Sequence, residues 1–393
     1  MSEAATAPFR AEHIGSLHRP AALRDARKRL LGGLSENGRF GRHGNTELHA
    51  LEDRFIADIV KLQEDVGLRT ISDGEYRRQI WLSEFLSSLS GVLLTLRGTT
   101  SAATHFRSDE RHGKSKTEDV ENVRIEFDVT DRVGWNGSVN VEPFEFLLSL
   151  VKPGSVPKVT LPAPQDYYFF GGRACVSETV YPDIARFWSD IGDAYAREVE
   201  ALVAAGCRHI QFDDVVYACL CDPVQVAALE QRGEDPDALL RYSVDSLNRA
   251  VRNRPRGVTI SQHICRGNRH GHFIAEGGYD HVADYMFNHL DVDNYYLEYD
   301  TPRAGTFEPL RFMPAGKHVT LGLITTKRPE LEDPDDIRRR IDEAAKFVPL
   351  ERLSLSPQCG FSGDMMSDVM SVDEMRAKLA LVVSTARSVW GEA

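Results

Sequence analysis

Residues 258–268 read VTISQHICRGN, a β-rich run that ends on an imidazole and a thiol and breaks at Arg-Gly-Asn. In a strand, residues i and i+2 point to the same face, so His263 and Cys265 stand side by side at the end of one. A strand that carries polar donors at its carboxyl end has the design of a (β/α)8 barrel, which collects its catalytic groups there.

Seven further β-rich runs end in polar or glycine-containing turns: FRAEHIGS (9–16), RTISDGE (69–75), KVTLPAP (158–164), HIQFDD (209–214), VDNYYLEYD (292–300), HVTLGLITT (318–326) and LSLSPQCG (353–360). Segments of helical period lie between them, among them 47–67, 181–206, 235–253 and 333–349. Several open on Pro or Asp and close on Gly, as helix ends favour. Alternation of this kind argues for a parallel sheet, and eight repeats predict an α/β fold of the closed (β/α)8 TIM barrel type, one domain over residues 1–393. Residues 87–150 interrupt the pattern with SSLSGVLLTLRG, a mixed-charge run and VRIEFDVTDRVGW. This stretch reads as a β-hairpin inserted after the second strand, its middle either a flap over the barrel or a solvated loop.

Bulk composition narrows the partners. The chain is 42% hydrophobic and 27% charged, with formal charge 47 − 59 = −12. That balance gives no general attraction for nucleic acid or an anionic membrane and favours a small-molecule partner. The first residues lack a basic start followed by an apolar run, and no stretch reaches bilayer length, so a cytoplasmic protein is expected. A homo-oligomer is the base-rate expectation.

The strand ends carry His13 and Ser16, Asp73 and Glu75, Asp213 and Asp214, His263 and Cys265, Glu298 and Asp300, Thr325 and Thr326, and Cys359. Within that set, His263, Cys265, Glu298 and Cys359 offer an imidazole, two thiolates and a carboxylate, all Zn2+ donors. The alternative from the residues alone is inert buried cysteines and a hydrogen-bonded histidine. Cys175, Cys207, Cys219 and Cys221 read as structural.

The ordered motifs HIGSLHRP, SDGEYRRQIW, IQFDD, HICRGN, LEYDTPRAGTFEPL, LGLITTKRPELED and LSPQCGF, spanning about residues 8 to 385, resemble the cobalamin-independent methionine synthase family. They are most similar to short stand-alone relatives of its C-terminal catalytic half. The resemblance implies a (β/α)8 barrel in which His263, Cys265, Glu298 and Cys359 hold a zinc ion that activates an acceptor thiol. It further implies that Ser16, Glu75 and Asp213 grip the amino-acid part of homocysteine, with His13 grouped beside them as substrate-binding. The implied reaction moves a methyl group from a donor such as a methyltetrahydrofolate to that thiol, giving methionine. Two departures stand out. Asp213-Asp214-Val215 replaces the family's Asp-Glu-Pro, and Thr325-Thr326-Lys327 stands where the family has Asp-x-His-Ser. With that histidine gone, Asp214, Lys327 or water is the proton donor, and a C–S lyase or an epoxide-opening thiol transferase on the same barrel stays open. So does a purely structural zinc.

Overall fold

The structure is a computed structural model that describes residues 7–31, 44–98, 107, 123–365 and 369–393. Among these residues the strands are β1 (Thr70–Ile71), β2 (Ser90–Gly98), β3 (Val123–Gly134), β4 (Val156–Pro162), β5 (His209–Asp214), β6 (Thr259–Ile264), β7 (Asn294–Glu298), β8 (His318–Ile324) and β9 (Leu353–Pro357). Seven of them form one parallel sheet in the order β1-β4-β5-β6-β7-β8-β9.

Side-chain parity explains why this sheet curls. One face presents Ile210 and Phe212, Ile260 and Ile264, Tyr295 and Leu297, Val319, Leu321 and Leu323, and Leu353 and Leu355, all buried. Helices cover that face. Ile184–Ala204 buries Phe187, Ile191, Tyr195, Val199 and Leu202 at helical spacing, and Asp183 caps it by accepting from Ala185 N. The other face is polar: Lys158 and Thr160, His209, Gln211 and Asp213, Ser261 and His263, Asn294, Tyr296 and Glu298. Buried polar groups need partners, and these find them across the interior. Tyr296 Oη on β7 donates to Glu12 Oε2 at 2.8 Å, Thr70 Oγ1 on β1 donates to Glu12 Oε1 at 2.6 Å, and Lys158 Nζ on β4 donates to Gln211 Oε1 at 2.8 Å. Strands far apart in the sheet order therefore share one polar centre.

The structure departs from the sequence expectation at the first stave. Residues 9–16 are extended but join β9 through a single bridge, Ala11 to Leu355, with Glu12 N donating to Leu355 O at 2.8 Å. Toward β1 the links run through side chains, with His13 Nε2 3.0 Å from Thr70 O and Ser72 Oγ donating to Gly15 O at 2.6 Å. The cause is local. Gly15 adopts φ +133, which ends the extended run, and β1 is only two residues long.

Strands β2 and β3 pair antiparallel as a separate two-stranded sheet between β1 and β4 in sequence. Residues 87–150 also contain the helix Val141–Leu150, which the hairpin reading did not foresee. The mixed-charge run 99–122 lies, Arg107 apart, outside the described residues. Arg107 forms an antiparallel bridge with Phe273, and its guanidinium meets Asp222 and, at 3.5 Å, Glu276. That places this residue against the loop that follows Cys265. No helix among the described residues is long and apolar enough to cross a membrane.

Candidate metal centre and substrate site

At the carboxyl ends of the strands, one ligand atom each from His263, Cys265, Glu298 and Cys359 lie within 4.8 Å of one another. The parallel ladder produces this. β5 and β6 register Asp213 against His263, and β6 and β7 register His263 against Tyr296, so Glu298 rises two residues further on the same face. Cys265 follows β6 at the next position of like parity. Its amide donates to Asp214 O at 2.6 Å, which extends the ladder by one bond. Cys359 comes from the turn after β9, where Gln358 N donates to Ile324 O at 2.8 Å.

The donor set fits a divalent ion on its own chemistry. Glu298 is fully buried and, among the described residues, neither carboxylate oxygen has a hydrogen-bond partner within ordinary distance, its ion-pair atom being His263 Nε2 at 3.8 Å. A buried carboxylate with so loose a partner is under-satisfied, and a bound cation would supply what it lacks. The Cys265 and Cys359 sulfurs stand 3.3 Å apart. Hydrogen bonding to Cys359 and burial push the Cys265 thiol well above its ordinary range, and a cation beside that sulfur would favour its thiolate. His263 donates or shares its Nδ1 proton with Asp213 Oδ1 at 2.9 Å, which leaves Nε2 toward the cluster. Burial opposes charge on that imidazole, but Asp213 and Glu298 outweigh it and push its pKa up to about 10. Burial likewise works against ionised Glu298, while His263 and Lys327 hold it below the usual carboxylate range. Cys265 is the half-buried member of the four. The open side of the cluster is therefore at a sulfur ligand.

Glu75 and Ser16 lie beside this cluster. Ser16 O accepts from Phe361 N at 2.9 Å, and Ser16 Oγ occupies the space where a Cβ on Gly360 would sit, 1.8 Å away. Gly360 thus admits the serine next to Cys359. Glu75 sits at φ +62, an uncommon left-handed position for a side-chain-bearing residue. Its backbone carbonyl accepts from Arg19 Nη2 at 2.9 Å. Burial raises its carboxyl pKa, against the pull of Arg78, and the nearby Asp213 raises it further.

Three more of the expected residues have the following surroundings. Asp214 registers with Ile264 and so faces the helices, where its carboxylate accepts from Val216 N, Tyr217 N and Gln165 Nε2 at 3.0, 3.0 and 2.9 Å. It is outside the metal cluster. His13 is buried on the Thr70 carbonyl, and burial with the Lys158 charge holds its imidazole well below the ordinary range. Lys327 donates through Nζ to Gly267 O at 2.5 Å, close enough to bias Glu298. Sequence reasoning passed over Gln211, whose Nε2 donates to Asp213 Oδ1 at 2.7 Å. The i, i+2 spacing in HIQFDD carried that signal. It also passed over Thr160 and Arg78, for which no spacing rule exists.

A curled parallel α/β sheet with a His–Cys–Glu–Cys cluster at its carboxyl end defines a class of barrel-type α/β protein with a candidate metal site. Comparison narrows that class. A family model described as the catalytic domain of the cobalamin-independent synthase matches residues 171–388. The chain is 35% identical over 385 residues to the uncharacterized protein YxjH of Bacillus subtilis, covering 98% of this chain and 95% of that one. It is 31% identical, with TM-score 0.73, to the crystal structure of a candidate vitamin-B12-independent methionine synthase from Listeria monocytogenes, covering 98% and 99% of the two chains. A 5-methyltetrahydropteroyltriglutamate–homocysteine methyltransferase of Mycolicibacterium paratuberculosis is 24% identical over 384 residues, 97% of this chain but 43% of that protein. The chain belongs to the cobalamin-independent methionine synthase family.

Proposed function

We propose that this protein is a cytoplasmic zinc-dependent S-methyltransferase, one closed (β/α)8 barrel with residues 87–150 as an inserted flap, that methylates a small thiol such as homocysteine. The observation that carries the reading is the approach of His263, Cys265, Glu298 and Cys359 to within 4.8 Å around two carboxylate oxygens that, among the described residues, have no hydrogen-bond partner within ordinary distance. Those four residues would hold Zn2+. Bound there, the ion supplies the charge that keeps a thiol ionised near neutral pH, where a free alkyl thiol is mostly protonated.

The chain's own residues do the rest. Asp213 orients His263 through Nδ1 at 2.9 Å, and Gln211 in turn fixes Asp213. Ser16, Glu75 and Asp213 bind the polar end of the acceptor and aim its sulfur at the cluster. The half-buried Cys265 supports entry of acceptor and donor from its side of the cluster. Asp214 is turned away and held by three donors, which leaves Lys327 or water for proton delivery.

Zinc content and methyl transfer test the reading together. Purified protein is expected to hold about one zinc per chain, and Cys265→Ser or Cys359→Ser to lose it while remaining folded by circular dichroism. Methyl transfer to L-homocysteine is expected from one of methyltetrahydrofolate, methylcobalamin or a small S-methyl donor. Zinc retained in both variants, or no transfer from any donor, overturns it.

A further inference from the structure

The ladder between β1 and β4 has two rungs, Thr70 to Val156 and Ile71 to Pro157, and then stops, although β4 runs on to Pro162. A side chain fills the missing rungs. Arg78 donates through Nη2 to Thr160 O at 2.6 Å and through Nη1 to Thr160 Oγ1 at 3.0 Å, Trp81 O at 3.2 Å and Glu75 Oε1 at 3.3 Å. Thr160 Oγ1 donates to the same Glu75 oxygen at 2.7 Å. Among the described residues, Glu75 Oε2 is buried and has no hydrogen-bond partner. One oxygen of this carboxylate is therefore held by a guanidinium and a hydroxyl, and the other is left without a donor while Asp213 lies close by. A buried acceptor without a donor is costly, and a second carboxylate nearby adds to the cost. An ammonium group meets both needs.

We infer that Arg78 and Thr160 are positioning residues that pin Glu75 Oε1 so that Oε2 alone receives the amino group of the acceptor. The inference rests on the proposed function and assigns residues that act through Glu75 rather than on substrate. It makes recognition of the amino group separable from activation of the thiol. Among the described residues, Arg78 makes its side-chain hydrogen bonds to Glu75, Thr160 and Trp81 and none to the metal cluster, and Thr160 Oγ1 bonds to Glu75 and Arg78.

Thr160→Val tests this with the least change of shape, because valine keeps the branch whose Cγ2 closes over Gly15 and puts a methyl in place of the hydroxyl. The measurement is KM and kcat for L-homocysteine against 4-mercaptobutyrate, the same thiol acid without the amino group, in zinc-loaded protein. Thr160→Val is expected to raise KM for homocysteine about tenfold, as befits loss of a hydrogen bond to a charged group, with KM for the deaminated thiol changed by less than about twofold. Arg78→Met is expected to do the same more strongly, with Arg78→Lys recovering part of the preference, and zinc content unchanged in all three. If the two thiols keep their wild-type KM ratio in both Thr160→Val and Arg78→Met, the positioning role is wrong. A wild-type protein that methylates neither thiol, or prefers the deaminated one, overturns the functional reading beneath it instead.

Discussion

Asp213 Oδ1 receives both His263 Nδ1 at 2.9 Å and Gln211 Nε2 at 2.7 Å. The family resemblance gives this carboxylate, with Ser16 and Glu75, to the amino-acid part of the acceptor, and the geometry gives it a further task. Fixing the proton on Nδ1 sets the tautomer and ring angle that present Nε2 as a ligand. Asp213→Asn keeps an acceptor oxygen but removes the charge. Zinc affinity, measured by chelator competition, is expected to fall about 10–100-fold in that variant, the range usual for removal of such an outer partner. Affinity equal to wild type would mean that His263 is not a ligand.

Strand parity governs what was legible before any coordinates. The candidate metal ligands could be read because His263 and Cys265 are two apart and Glu298 and Cys359 each stand at the end of a stave, with one stave between them. Strands β5 and β6 fall where the alternation placed them, with β5 over the predicted span 209–214. Asp213 and Asp214 were both counted at a strand end, yet adjacent residues face opposite sides, and only Asp213 reaches the interior. What stayed illegible depends on long-range fit. Arg78 completes a sheet edge whose shortness no local pattern reveals, and Gly322 is a second instance. Its place on β8 lies where a Cβ would come 2.7 Å from Gln358 Cα and 3.0 Å from Leu297 O, beside a register shift between Gly322 and Ile324. Gly322→Ala would push on the backbone that leads into Cys359. It is expected to cost about 1–3 kcal/mol in chemical denaturation, the range for overpacking, and to weaken zinc binding as well. Unchanged stability and zinc affinity would show that the β9 turn has slack.

At the scale of the whole molecule, the polar interior makes stability depend on acidity. His209 is fully buried, with Nε2 3.0 Å from Ser261 Oγ, and burial together with the Lys158 and His13 charges holds it well below its ordinary range. His13 is held low as well. A histidine whose pKa is lower folded than unfolded stays neutral in the fold and takes a proton on unfolding. Its contribution is complete above the ordinary value of 6.5 and is lost as pH falls below it. Metal-free protein is expected to lose stability below that pH by up to about 1.4 kcal/mol per pH unit for each such histidine. His209→Gln, which can still bond to Ser261, is expected to flatten the slope in urea titrations at stepped pH. An unaltered slope would assign the acid sensitivity elsewhere.

The interior is also unequally laced. His263, Glu298 and Cys359 are borne by staves bonded along their length, whereas Ser16 follows a stave with a single bridge and Glu75 follows a strand of two residues. On the proposed reading, local loosening of those two staves would release the amino-acid clasp before the metal ligands part. The centre would then keep its chemistry while losing its choice of acceptor, so warming is expected to narrow the rate gap between homocysteine and simpler thiols.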